Sequence, residues 1–356
     1  MRVMKTASEE LALAQMHDAA GRHDDAINAL ARATQAGDIE AMTRLGKRLT
    51  VGDRAPLLPN DGVGFLIDAA NRGGAEAPAK LAFLAATGAY VPQSWSQAID
   101  ALIAAAERGF GPARAQLQLL GAAAQNESFA APPRNHWRRL GAAIDIQAWR
   151  SAVPVDTLNE SPAVRSCPDL VAPSVCEWLI ERSRDNLERA TVYDAIEGQD
   201  TTHEIRTNST ATFNLMTADF VCALVQARLA ATANVPASNL EAPAVLHYEV
   251  GQQIDDHYDF VDPRTPNYAQ VIGRQGQRMI TFLIYLNEDY DGGETDFPTL
   301  GVSYRGPSGA GLFFVNALAD GSPDLRAVHA GRPPTRGRKW VLSQFIRDRP
   351  VLHTRS

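Results

Sequence analysis

Cysteine is scarce in this sequence of 356 residues, and the three cysteines that occur are spread apart. Cys167, Cys176 and Cys222 are odd in number and form no C-x-x-C motif. A disulfide framework or a zinc knuckle is therefore not expected. The simplest interpretation is that all three are buried free thiols.

Long apolar runs and an excess of basic residues are also missing. No stretch approaches the roughly 18 apolar residues of a membrane-spanning helix, and charged residues occupy the N-terminus where a signal peptide would be apolar. A net charge of −7, without a basic and aromatic-rich motif, argues against nucleic-acid binding. These absences predict a cytoplasmic protein that binds neither membranes nor nucleic acids.

What the sequence does contain is enough apolar material for two folded domains. Hydrophobic residues make up 45% and charged residues 21% of the chain, as in globular proteins rather than disordered ones. A length of 356 residues exceeds the size at which a single hydrophobic core is usual. The periodicity of the sequence also changes along the chain, which predicts two domains of different class.

The first part of the chain repeats with a period of 36 residues, the interval that separates Leu30, Leu66 and Leu102. Helical spacing within each unit predicts pairs of helices. Residues that recur at the same position of successive units form columns, and one column consists of glycines at the point where a left-handed helix cap is needed. Residues 1–125 are therefore predicted to form an all-α helical-repeat solenoid. The other columns are Ala33, Ala69 and Ala105; Gly37, Gly73 and Gly109; Ala41, Ala77 and Ala113; and Leu45, Leu81 and Leu117.

The repeat length is close to the tetratricopeptide period of about 34 residues. Phrases of the AA-x-x-G type, AANRGG and AAERGF, resemble the SEL-like branch of that repeat family. Such solenoids usually bind protein on a concave surface, so these repeats could recruit a protein substrate. A packing or dimerisation module is an equally open alternative, and the oligomeric state is not predicted.

The sequence changes character after residue 125. Paired prolines and turn residues predict a linker over residues 126–160. Residues 161–356 contain two amphipathic helices followed by several strand-length runs without crossover helices, which predicts an antiparallel jelly roll with its core at 240–348. The strand-length runs are APAVLHYEV, QRMITFLIYLN, GLFFVN, RAVHAG and RKWVLSQFIR.

Two H-x-D triplets could contribute to a metal site, but only one has a backbone that brings its side chains together. His23 and Asp25 lie in a helical repeat, where residues i and i+2 point about 200° apart. His257 and Asp259 lie at the end of a predicted strand, where they share a face. With His329 from another strand they form the two-histidine, one-carboxylate set of non-haem Fe(II) oxygenases. Zinc could use the same ligands.

Lys339 stands near the start of the strand-length run RKWVLSQFIR, directly before Trp340. This position is unusual because lysine is rarely buried unless it is paired. A cation at the base of a pocket would pair with the far carboxylate of a dicarboxylate ligand. An exposed lysine on an edge strand is the alternative. The presence of the three candidate metal ligands favours the ligand anchor.

Residues 165–348 resemble the catalytic domain of the prolyl 4-hydroxylase family, whose members are Fe(II)- and 2-oxoglutarate-dependent dioxygenases built on a double-stranded β-helix. The phrases that carry the resemblance are RTNST, LHYEVGQQIDDHYD, RMITFLIYLN, GGETDFP, GLFFVN, VHAGRPPTRGRKW and FIR. A lysine anchor resembles the collagen-type branch of the family. Phe345 stands where that branch has tryptophan, and Arg206 could contact substrate or form a salt bridge.

The resemblance implies both an active site and a reaction. The reaction is hydroxylation of peptidyl proline at C4, with consumption of O₂ and 2-oxoglutarate, release of succinate and CO₂, and L-ascorbate as the reductant of the iron. The alternatives are a dioxygenase acting on a free amino acid or another side chain, and a non-catalytic repeat scaffold. The implied iron ligands are His257, Asp259 and His329, and the implied 2-oxoglutarate-binding residues are Lys339, Tyr248 and Thr281.

Overall fold

The computed structural model describes residues 5–121, 135–190, 192–194, 199–201, 206–265 and 268–351. Contacts between them divide the chain into two compact units. Unit 1 contains the described residues up to Ile146 together with Leu215–Ala223. Unit 2 contains Gln147–Asn214 and the described residues from Leu224 onward.

Unit 1 is all-helical and consists mainly of packed helix pairs, α1 with α2, α3 with α4, and α5 with α6. This arrangement confirms the predicted helical repeat. The helices are α1 (Ala7–Ala19), α2 (His23–Gln35), α3 (Ile39–Val51), α4 (Pro59–Asn71), α5 (Glu76–Thr87), α6 (Trp95–Glu107), α7 (Gly111–Leu120) and α8 (His136–Ala142).

The columns of the 36-residue period coincide with the core and the turns of unit 1. The Leu30, Leu66 and Leu102 column is buried, as is the Ala33, Ala69 and Ala105 column. The three column glycines follow α2, α4 and α6 with φ angles of 92°, 94° and 94°, a region that favours glycine. Side-chain hydrogen bonds cap the N-termini of three helices of unit 1. Thr6 and Glu9 form a capping box at α1, Asp38 caps α3, and Ser94 caps α6.

Unit 2 is built from short strands and supporting helices. Its helices are α10 (Pro173–Arg184) and α12 (Tyr268–Gln275), while α9 (Ile146–Trp149) and α11 (Phe220–Ala233) begin within unit 1. The strands are β1 (Asp156–Asn159), β2 (Val164–Cys167), β3 (Glu188–Arg189), β4 (Val192–Asp194), β5 (Gln199–Thr201), β6 (Ser209–Thr212), β7 (Ala244–Tyr248), β8 (Ile254–His257), β9 (Arg278–Tyr285), β10 (Asp291–Gly292), β11 (Thr295–Phe297), β12 (Val302–Tyr304), β13 (Gly311–Val315), β14 (His329–Gly331), β15 (Pro334–Arg336) and β16 (Lys339–Arg347).

Two sheets form the body of unit 2, and they confirm the predicted double-stranded β-helix. An eight-stranded sheet has the order β1-β2-β13-β9-β16-β7-β6-β3, and a four-stranded sheet has the order β12-β11-β14-β8. Neighbouring strands are antiparallel in both sheets. Tyr285, Leu312, Phe314 and Val341 from the larger sheet form one buried cluster with Phe297 from the smaller sheet, so the hydrophobic core lies between the two sheets.

The segment predicted as a linker, residues 126–160, contains regular structure where it is described. Helices α8 and α9 lie within it, and β1 pairs with β2 at the edge of the larger sheet. Residues 126–134 lie outside the described residues. The sheet of unit 2 therefore begins at Asp156. The sequence of β1 lacks alternating apolar residues, so its strand conformation depends on pairing with β2.

The three cysteines are buried free thiols, as predicted. Within the described part of the chain, no helix has the length and apolar character needed to cross a membrane.

Candidate active site

Two histidines lie side by side on neighbouring strands of the smaller sheet. His257 is the last residue of β8 and His329 is the first residue of β14, and the antiparallel register pairs these two residues directly. Directly opposed residues project from the same face of a sheet, so the two rings lie 4.3 Å apart between centroids. Phe314 packs edge-on against His329 at 4.5 Å, which closes the interior side of the site.

Asp259 completes a cluster with these histidines. One carboxylate oxygen, Oδ2, lies 3.2 Å from His329 Nε2, and the other, Oδ1, lies 3.5 Å from His257 Nε2. One ligand atom from each residue lies within 4.8 Å of the others, and no other group of this kind occurs among the described residues. The structure therefore brings together all three residues predicted to bind a metal.

The ring nitrogens of both histidines are oriented by backbone carbonyl groups. His257 Nδ1 lies 2.7 Å from the Asp255 carbonyl oxygen, and His329 Nδ1 lies 3.1 Å from the Ala327 carbonyl oxygen. A carbonyl oxygen can only accept, so each Nδ1 carries the proton and donates it. In the neutral ring, the lone pair of Nε2 then faces Asp259, which is the arrangement that metal-binding histidines adopt.

The ionisation of Asp259 and that of His257 depend on their neighbours in this cluster. Burial opposes ionisation of Asp259, but the neighbouring His329 and His257 outweigh it and hold the pKa of the carboxyl well below its usual range. Burial likewise opposes protonation of His257, but the hydrogen bond and charge of Asp259 outweigh it and raise the pKa of His257. The site thus combines a carboxylate that stays ionised with two imidazoles whose Nε2 atoms face it. This donor set fits Fe(II).

Two side chains, one from β9 and one from the residue directly before it, fix the segment that carries Asp259. The Thr281 hydroxyl donates to Asp259 Oδ2 at 2.6 Å. The Gln277 amide donates to the Val261 carbonyl oxygen at 2.8 Å and accepts from the Val261 N–H at 2.7 Å. The Thr281 hydroxyl therefore contacts a candidate metal ligand, and its predicted contact with 2-oxoglutarate stays a prediction.

Lys339 lies in the middle of the larger sheet. It begins β16, which is flanked by β7 and β9, and only 2% of its surface is exposed. Its Nζ lies 4.9 Å from the ring centroid of Tyr248, its cross-strand neighbour, and 6.0 Å from that of Tyr285. The alternative of an exposed lysine on an edge strand is wrong.

The ammonium group of Lys339 forms no hydrogen bond or ion pair with any residue that the structure describes. Burial lowers its pKa to about 7, opposed only by the negative charge of Glu294. A buried cation without an anion is costly unless a ligand supplies one. Burial also raises the pKa of Tyr248, so the phenol beside Lys339 stays a neutral hydroxyl. The pair fits the carboxylate of a bound 2-oxoglutarate.

The second H-x-D triplet does not converge. His23 Nδ1 lies 3.2 Å from Asp18, whereas Asp25 lies 3.7 Å from the Arg22 guanidinium. The two side chains thus have different partners, as expected for positions i and i+2 of a helix. Of the two triplets, only the one formed by His257 and Asp259 belongs to a candidate metal cluster among the described residues.

Some residues of the site carried little signal in the sequence. Gln277 precedes a strand, and its role depends on a long-range contact with Val261 that periodicity does not report. Arg206 forms an isolated bridge with Ile254, donates to Asn208 at 3.2 Å, and forms no ion pair with a described residue. Its positive charge opposes protonation of His257, so Arg206 lies close enough to act on the site electrostatically.

Comparison with known proteins agrees with a site for Fe(II) and 2-oxoglutarate. Residues 243–347 match the sequence model of the 2OG-Fe(II) oxygenase superfamily. The chain is 30% identical over 215 residues to probable prolyl 4-hydroxylase 9 of Arabidopsis thaliana, covering 55% of this chain and 73% of the relative. It is 31% identical over 211 residues to probable prolyl 4-hydroxylase 3 of the same plant, covering 54% and 71%.

Among solved structures, the chain is similar to the viral collagen prolyl hydroxylase of Paramecium Bursaria Chlorella virus-1 in its 2OG complex. The identity is 25%, the TM-score is 0.41, and the match covers 52% of this chain and 95% of that one. The residues matched by the superfamily model include His257, Asp259, His329 and Lys339. The superfamily match and the identity of 30–31% to the two plant relatives show that the chain belongs to the 2OG-Fe(II) oxygenase superfamily as a prolyl 4-hydroxylase-like enzyme.

Proposed function

We propose that this enzyme hydroxylates proline residues of a protein or peptide at C4, with 2-oxoglutarate and O₂ as cosubstrates and succinate and CO₂ as coproducts. The observation that carries the proposal is the convergence of His257, Asp259 and His329 in the same domain as the buried Lys339, which no described residue pairs. A site that had lost its activity would have no use for a desolvated lysine without an anion. The names of the relatives support proline as the substrate side chain.

The residues divide into two sets by what they would hold. His257 and His329, through Nε2, and Asp259, through a carboxylate oxygen, would hold Fe(II). Lys339 and Tyr248 would hold the distal carboxylate of 2-oxoglutarate. When bound, the iron and 2-oxoglutarate supply the oxidising chemistry that inserts one oxygen atom of O₂ into a C–H bond.

The protein's own contribution is orientation and exclusion of water. The carbonyl groups of Asp255 and Ala327 fix the ring orientations of the two histidines, and Thr281 fixes the carboxylate of Asp259. Lys339 is almost fully buried, so an ion pair with a ligand carboxylate would form in a poorly solvated pocket where it is strong. Phe314 and Phe297 pack on His329 and keep the inner side of the site apolar.

A reductant and a means of substrate recruitment are also part of this proposal. L-ascorbate would serve as the reductant that keeps the iron in the ferrous state. The helical repeats of unit 1 would recruit a proline-containing protein, which would raise the local concentration of substrate without changing the chemistry. A role of the repeats in dimerisation is the competing possibility.

The test is aerobic incubation of the full chain with Fe(II), 2-oxoglutarate, ascorbate and a panel of proline-containing peptides. Peptides should gain the mass of one oxygen atom, and amino-acid analysis should identify 4-hydroxyproline. Asp259→Ala serves as the matched control and should give no product. Modification of free proline, or of a residue other than proline, would replace the peptidyl-proline assignment with that of a different dioxygenase.

A further inference from the structure

Asn316 lies immediately after β13 with only 1% of its surface exposed. Its backbone N–H donates to the Met279 carbonyl oxygen at 2.8 Å, which holds the residue against β9. Its side-chain Nδ2 donates to the Thr281 hydroxyl oxygen at 2.9 Å, and Thr281 in turn donates to Asp259 at 2.6 Å. A continuous chain of two hydrogen bonds therefore joins Asn316 to the carboxylate.

The direction of both hydrogen bonds is fixed by chemistry. The ionised carboxylate of Asp259 can only accept, so the single hydroxyl proton of Thr281 must point at it. The Thr281 oxygen is then left with lone pairs alone, and only the NH₂ half of Asn316 can satisfy it. This reasoning fixes the amide orientation of Asn316 independently of how its oxygen and nitrogen are placed.

The other half of the Asn316 amide points to the same role. Its Oδ1 is buried and has no hydrogen-bond partner among the described residues. An amide that served only to stabilise the fold would be expected to satisfy both of its halves. Here the satisfied half is the one that faces Thr281, so the contribution of Asn316 is concentrated in the hydrogen-bond chain.

We infer that Asn316 is a positioning residue that locks the Thr281 hydroxyl as a permanent donor to the metal-binding carboxylate of Asp259. The inference rests on the proposed function, because it assigns Asn316 a task at the proposed iron ligand. Hydrogen bonds of this kind orient a ligating carboxylate and tune its basicity. The same geometry commits the only hydroxyl proton of Thr281 to Asp259 and leaves none to donate to 2-oxoglutarate.

The test is a double-mutant cycle on metal affinity, with Co²⁺ titrated into the full chain and followed by its visible absorption. Thr281→Val should weaken Co²⁺ binding by about 10-fold, within the range known for such outer ligand partners. Asn316→Ala should weaken it by roughly 3- to 10-fold in the unaltered protein and should add no further loss in the Thr281→Val background.

Three further variants separate positioning from stability. Thr281→Ser keeps the donor and should keep the affinity for Co²⁺. Asn239→Ala removes another buried amide, whose Nδ2 donates to the Arg347 carbonyl oxygen at 3.0 Å, and should lower the unfolding temperature without changing Co²⁺ affinity. Asn316→Ser is too short to reach Thr281, and it replaces Asn316→Ala in the cycle if the alanine variant does not fold.

Two results would overturn the inference about Asn316 and leave the proposed metal site standing. One is an unchanged Co²⁺ affinity in the Asn316 variants. The other is an equal loss of affinity whether the Asn316 change is made in the unaltered protein or in the Thr281→Val background, which would show that Asn316 does not act through Thr281. Failure of the unaltered protein to bind Co²⁺ would overturn the proposed metal site as well. The two failures are therefore distinguishable.

Discussion

At the scale of single residues, Lys339 shows most clearly how function costs stability. Its pKa falls from 10.5 to about 7 because burial penalises the charged form. The folded protein therefore binds fewer protons than the unfolded chain between these two values. Its stability rises with pH across that window and is lowest where the folded lysine is protonated. A ligand carboxylate would reverse this penalty by pairing with the ammonium group.

The first prediction is that 2-oxoglutarate binding depends on the protonation of Lys339. Affinity should be highest below pH 7 and should fall about tenfold per pH unit above the lowered pKa, since only the protonated lysine attracts the carboxylate. Isothermal titration of the metal-loaded protein across this range would measure the dependence. Lys339→Met should bind weakly at every pH and, by removing a buried charge, should raise the unfolding temperature of the ligand-free protein. A pH-independent affinity in the unaltered protein would contradict the assignment.

The second prediction concerns the histidines. His257→Ala should abolish Co²⁺ binding and the turnover of 2-oxoglutarate, because a carboxylate and one imidazole form an incomplete set. The fold should persist, since the side chain of His257 is partly exposed and its backbone pairing in β8 is retained. Circular dichroism checks the fold. His23→Ala is the matched control, because His23 lies in the other H-x-D triplet, and it should leave both activities intact.

At the scale of elements, much of the fold can be predicted from periodicity. The 36-residue period predicts the helix pairs because each repeat buries the same columns, and β7, β9, β13 and β16 stand out as apolar runs of strand length. The strands β1, β3 and β12 do not, since they are edge strands of only two to four residues. Their conformation comes from pairing with a neighbour rather than from their own sequence. The same limit applies to side chains that act over long sequence distances.

Gln277 is such a side chain, and it leads to the third prediction. Its amide forms paired hydrogen bonds with the backbone of Val261 and accepts a third from the Arg278 N–H at 2.9 Å. Gln277→Leu keeps the approximate volume but leaves buried backbone groups unpaired, which should destabilise the protein by roughly 1–3 kcal/mol. Hydrogen exchange of the Val261 amide should accelerate, and Co²⁺ affinity should fall because the Asp259 segment loosens. Normal protection of Val261 in this variant would show that these hydrogen bonds are dispensable.

At the scale of the whole molecule, residues 215–223 belong to unit 1 although the chain on both sides of them belongs to unit 2. The Phe220 N–H donates to the buried Gln116 side chain at 3.0 Å, and the Phe220 ring packs edge-on against Trp95 at 6.0 Å. Phe220, Val221 and Cys222 are all buried. The placement of residues 215–223 in unit 1 could not be predicted from the sequence, because the segment has the pattern of the start of an ordinary amphipathic helix.

The last prediction follows from the placement of residues 215–223 in unit 1. A protein beginning at Gln147 lacks helices α1 to α8 and so loses Trp95 and Gln116, the partners of Phe220. Exposing one large apolar side chain costs about 1.5–3 kcal/mol, and two further buried residues adjoin it. We therefore expect the shortened protein to unfold at a lower temperature than the full chain and to aggregate. Phe220→Ser in the shortened protein, or supply of residues 1–146 as a separate chain, should restore solubility. If the shortened protein is instead as stable as the full chain and hydroxylates a full-length substrate equally well, unit 1 neither supports the enzyme nor recruits its substrate, and dimerisation becomes the role to test.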